Sequence, residues 1–106
     1  MALTRDFKET VVTRAKNDHD FAKALLDEAA TLFLNGEPET AKIILRDLVN
    51  ATIGFEQLAR SVEEPSKSVH RMLSPAGNPT MTNLAAIFAT INKALKVEIQ
   101  ARRVGV

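Results

Sequence analysis

Five polar side chains able to reach an anion or the edge of a base fall in one short stretch, Ser66, Lys67, Ser68, His70 and Arg71, with no acid among them. An arginine offers a planar fork of donors that fits a guanine edge or a phosphate through paired hydrogen bonds, a lysine offers a compact charge, and serine hydroxyls make short hydrogen bonds. Arg71 is therefore the best candidate for a paired contact with guanine, Lys67 for a guanine or a phosphate, and Ser66 and Ser68 for bases or backbone. His70 fits either role or neither. If the stretch is a helix, its N-terminal end enters a major groove. The competing reading is an ordinary solvated helix face.

The other cluster of ligand-type residues is Asp18-His19-Asp20. Adjacent helical residues point in different directions, whereas metal ligands on a helix recur at three or four residue steps, so a surface cap is the better reading. Two His, no Cys and no Glu-x-x-His pair assemble neither a zinc nor a di-iron site, and no metal or other cofactor is expected. No glycine-rich phosphate cradle or nucleophile elbow occurs, and the chain is not expected to be an enzyme. Lys93, Lys96, Arg102 and Arg103 read as a solvated, locally basic end.

Helices must position the polar stretch, because apolar residues recur at three and four residue steps almost throughout. A first helix from Thr4 to about Lys16 turns Leu3, Phe7, Val11 and Val12 inward, and Asn17-Asp18 ends it and caps the next. The second, from His19 to Leu34, carries Phe21, Leu25, Leu26, Ala29, Leu32 and Phe33 on one face and stops at Asn35-Gly36. Pro38 starts a third helix with Ala41, Ile44, Leu45, Leu48 and Val49 buried, ended by Ile53-Gly54. Short helices follow from Phe55 to Val62 and from Ser66 to Leu73, with only Glu63-Glu64-Pro65 between them. After a loop from Ser74 to Thr80, a last helix from Thr82 to Lys96 buries Leu84, Ile87, Phe88, Ile91 and Leu95. The tail from Val97 alternates like a short strand.

The two short helices meet the requirements of a helix-turn-helix. The first helix must cross the second closely, which Ala59 permits, and Leu58, Val62, Val69, Met72 and Leu73 supply the shared apolar contacts. Two acids occupy the turn. Glu63 is costly there if the backbone is left-handed, and a pair of carboxylates opposes approach to a phosphate backbone.

With 106 residues the chain has the size of one domain, and 45% hydrophobic and 25% charged residues are ordinary for a globular protein. No apolar run approaches the ~20 residues of a membrane span. The N-terminal residues lack the order of a secretory signal and Cys is absent, which together suggest a cytoplasmic protein. A net charge of +1 is far from that of a non-specific nucleic-acid coat, so DNA binding would depend on local geometry.

From Glu39 to about Ile99 the sequence resembles the HigA-like, Xre-type antitoxins, the addiction module antidote proteins. The resemblance rests on Leu-Arg-Asp-Leu-Val-Asn-Ala, Gln-Leu-Ala-Arg, Ser-Val-His-Arg-Met-Leu and above all Gly77-Asn78-Pro79-Thr80, the loop that in this family leads from the recognition helix to the last helix. It implies that Ser66, Lys67 and Arg71 contact bases and that Ser74, Gly77 and Asn78 lie where the loop touches phosphates. It further implies a homodimer that represses its own operon on an inverted repeat and neutralises a ribonuclease-type toxin.

Sequence and resemblance together lead to an all-α protein: a small helical bundle containing a lambda-repressor-like helix-turn-helix. Residues 1–36 are expected to form an N-terminal helical hairpin, possible site of dimerisation, and residues 37–106 the DNA-binding region. The expected function is transcriptional regulation on double-stranded operator DNA. The alternative is a protein-interaction module that holds a toxin or other partner and binds DNA weakly or not at all.

Overall fold

The computed structural model describes residues 2–106, with side chains from Thr10 onward. Among the described residues the chain is entirely helical in its regular structure: α1 Ala2–Asn17, α2 His19–Leu34, α3 Pro38–Ala51, α4 Gly54–Val62, α5 Ser66–Met72 and α6 Met81–Leu95. The expected inward positions Leu3 and Phe7 of α1 lie outside the described side chains.

Local chemistry sets the boundaries. Asp18 has extended backbone angles and its carboxylate accepts from the Phe21 N–H at 3.1 Å, which caps α2. The same carboxylate lies 3.9 Å from Nε of Arg14, whose guanidinium lies 4.1 Å from the Phe21 ring centroid. Asp18 thus serves as the cap expected of it. Among the described residues no group of acids and histidines is arranged to hold a metal. At the far end of α2, Gly36 takes φ +85° and lets the Glu37 N–H return to Leu32 O at 2.8 Å, closing the last turn where a side chain would be strained. Pro38 occupies the first turn of α3, and Thr80 caps α6 through its hydroxyl oxygen, which accepts from the Asn83 N–H at 3.1 Å.

The third helix organises the packing, lying against α1, α2 and α4, while α6 rests on α4 and α2. One hydrophobic cluster draws on all six helices, from Ala15 through Leu26, Leu45, Leu48, Leu58 and Val69 to Ile87, Ile91 and Leu95. Fully burying a Leu or Ile side chain contributes about 1.5–3 kcal/mol, so this cluster, more than helix propensity, holds the short α4 and α5 in place. Phe33 of α2 and Phe88 of α6 meet edge to face at 5.7 Å.

The tail corrects one expectation. Residues 97–106 form no strand. Val97 and Ile99 are partly buried against the core, while Glu98 and Gln100 are exposed. The alternation therefore reflects an extended segment laid against the bundle, with Val97 and Ile99 already used there.

Candidate nucleic-acid interface

The polar stretch is presented by α5, which is anchored from both sides. At the end of α4, Glu63 adopts the left-handed conformation at φ 57° and ψ 46°. Its N–H reaches Arg60 O at 3.3 Å, and the Glu64 N–H reaches Ala59 O at 3.1 Å, so the turn closes as a Schellman motif with an acid where glycine is the comfortable residue. The cost foreseen for Glu63 is therefore present. Pro65 is extended, at φ −61° and ψ 145°, and its carbonyl accepts from the Ser68 and Val69 N–H groups to start α5. Leu58, Ala59, Val69 and Leu73 are buried between the two helices and the body, and Val62 and Met72 pack beside them.

This anchoring leaves Lys67, His70 and Arg71 exposed, with Ser66 and Ser68 half-buried. His70 is turned back along the surface: its imidazole stacks on the ring of Phe55, the buried residue at the start of α4. Lys67 and Arg71, four residues apart, share a helix face.

Beyond α5 the chain folds back against the helix end. The Ser74 hydroxyl donates to Arg71 O at 2.7 Å, and the Gly77 N–H donates to Ser74 O at 3.0 Å. Both protons are thus committed within the chain. Gly77 sits so close to α5 that an added Cβ would lie 1.9 Å from Arg71 O and 2.7 Å from Met72 O, so only glycine fits. Asn78 is exposed.

A recess of 280 Å³ opens between α5 and this loop, lined by Ser68, Arg71 and Met72 on one side, Ala76, Gly77 and Asn78 on the other, and Glu64. The fold therefore gathers Ser68, Arg71, Gly77 and Asn78 in one place. Ser66, Lys67, His70 and Ser74 are not part of its lining, and the Ser74 hydroxyl is spent on Arg71 O.

One participant, Lys42, was missed from sequence, while Glu64, one of the turn acids foreseen to oppose a phosphate, lines the recess. Lys42 of α3, 96% buried, extends its ammonium to the loop and donates to Gly77 O at 2.7 Å and Pro75 O at 3.3 Å. Its signal was its place on the buried stripe of α3, three residues before Leu45 and seven before Val49.

No family profile matches the chain, and no curated protein or solved structure matches it at a significant level.

Proposed function

We propose that the chain is a sequence-specific regulator of transcription that binds double-stranded DNA as a homodimer, with α4 and α5 as its helix-turn-helix. The observation that carries this reading is the presentation of α5: an acid-free helix whose apolar side is held in the core, with Lys67 and Arg71 outward and a recess containing Arg71 beside the following loop. A major groove admits such a helix, phosphate contacts fix its register, and Arg71 reads a base edge. Two copies on an inverted repeat would place their recognition helices about one helical turn or a multiple of it apart.

The role of autorepressor and antitoxin, paired with a ribonuclease-type toxin, rests on the Gly77-Asn78-Pro79-Thr80 resemblance. Fluorescence anisotropy on the DNA upstream of its own gene, across a salt series and with scrambled competitor, tests the function. Tight, competitor-resistant and steeply salt-dependent binding is expected. Affinity indifferent to sequence would overturn the regulatory reading.

One observation favours a second reading. Glu64 lines the same recess as Arg71, placing a carboxylate where a phosphate would approach. A module that binds a partner protein through this face has no need to exclude that charge. Co-purification with the product of a neighbouring gene, without DNA affinity, would select it.

A further inference from the structure

The ammonium of Lys42 is buried and donates to the carbonyls of Pro75 and Gly77, 33 and 35 residues along the chain. A buried cation is costly unless its protons are satisfied, and these two carbonyls draw the loop onto α3 to do so. Every peptide bond described is trans, and in a planar trans peptide the N–H points opposite to the C=O. The Pro75 carbonyl shares its plane with the Ala76 N–H, and the Gly77 carbonyl shares its plane with the Asn78 N–H. Turning both carbonyls toward Lys42 therefore aims both N–H groups away from it. Among the described residues neither N–H has an acceptor, whereas the intervening Gly77 N–H is bonded to Ser74.

Ala76 and Asn78 both line the recess that holds Ser68 and Arg71. Two free main-chain donors on one short loop suit a phosphate oxygen. The hydrogen bonds from the ammonium also polarise the two peptides, which strengthens each N–H as a donor. The Cα of Gly77, pressed against the end of α5, fixes the loop at a second point.

We infer that Lys42 is a positioning residue that never touches the ligand: it holds the Ala76 and Asn78 N–H groups toward the recess, where they bind a phosphodiester of the DNA backbone. The identity of the ligand rests on the DNA-binding reading above. The positioning role does not.

The experiment is a titration of the full chain with inorganic phosphate, followed by ¹H–¹⁵N correlation spectra, alongside affinity for the upstream DNA. The same measurements are made on Lys42→Met and Lys42→Arg. In the unsubstituted protein the Ala76 and Asn78 amide signals are expected to shift together with added phosphate. Lys42→Met should abolish those shifts and weaken DNA binding about tenfold, as expected for loss of a charge-assisted contact. Lys42→Arg, which keeps a donor toward the carbonyls, should restore part of both.

Amides of the unsubstituted protein that ignore phosphate would overturn the site, whether or not Lys42→Met folds. A folded Lys42→Met that responds as the unsubstituted protein does would overturn the role of Lys42. Phosphate shifts without DNA affinity would support the positioned anion site and assign it to free phosphate, retracting only the DNA-binding reading.

Discussion

The Phe55 ring and the His70 imidazole lie nearly parallel, with centroids 3.9 Å apart and planes 18° from one another. The contact ties the start of α4 to the middle of α5 across the outside of their shared turn. It also occupies one face of a histidine that would otherwise be free to meet a ligand. Stacked aromatic pairs contribute about 0.5–1.5 kcal/mol beyond area burial. His70→Ala should therefore lower stability by about 1 kcal/mol, while His70→Phe should retain it. Urea denaturation followed by far-UV circular dichroism checks both, and an unchanged midpoint for His70→Ala would show that the stack contributes nothing.

The left-handed residue in the turn gives a stability prediction of opposite sign. For a residue with a side chain that conformation costs about 1–2 kcal/mol, and glycine relieves it. Glycine also adds freedom to the unfolded chain, which offsets part of the gain. Glu63→Gly is expected to stabilise the protein by roughly 0.5–1 kcal/mol. Glu63→Ala, which keeps the strain, should not. Equal effects of the two substitutions would mean that the gain comes from removing charge.

The helices and most of their buried stripes were legible in sequence because periodicity, caps and breakers are local signals. Asp18, Pro38 and Gly36 act within a few residues of themselves, and α2 occupies the span that its apolar spacing predicted. The geometry of the recess was not legible, because it depends on pairs distant in sequence. Lys42 meets Gly77 only after α3 and the loop have docked, and His70 finds Phe55 by the crossing of two helices. A lysine on an apolar stripe signals that a partner is needed but does not name it. The alternation of Val97 and Ile99 suggested a strand because an extended segment lying on a helical bundle has the same two-residue period.

Gly77 offers a test of the loop's close approach to α5. A Cβ there would collide with main-chain carbonyls, which cannot rotate away as a side chain can. Gly77→Ala should cost about 1–3 kcal/mol, the usual range for overpacking. The amide signals of Met72 to Asn78 should move with it. A variant with native stability and unmoved signals would contradict the described packing.

Arg71 should dominate specificity on the DNA-binding reading, because it is exposed on α5 and also belongs to the lining of the recess. Arg71→Ala is expected to weaken operator binding by ~1–3 kcal/mol and to relax preference at one base position. Lys67→Ala should weaken all sequences more evenly if Lys67 meets a phosphate. Affinity measured on a set of single-base variants of the operator separates the two patterns. Unchanged affinity for Arg71→Ala would remove it from the interface.

Glu64 separates the two functional readings most sharply. Glu64 lines the recess together with Arg71, Ala76 and Asn78, so its negative charge opposes a phosphate bound there. Neutralising a partly exposed charge is worth about 0.2–1 kcal/mol, or roughly a factor of 1.4 to 5 in affinity. Glu64→Gln should therefore bind the upstream DNA more tightly at low salt, with the advantage shrinking as salt rises and screens the interaction. If both proteins bind DNA and Glu64→Gln gains nothing at any salt concentration, no phosphate approaches this carboxylate. If neither binds DNA while a neighbouring gene product is retained by the unsubstituted protein and lost by Glu64→Gln, the recess is a protein-binding face and Glu64 is part of it.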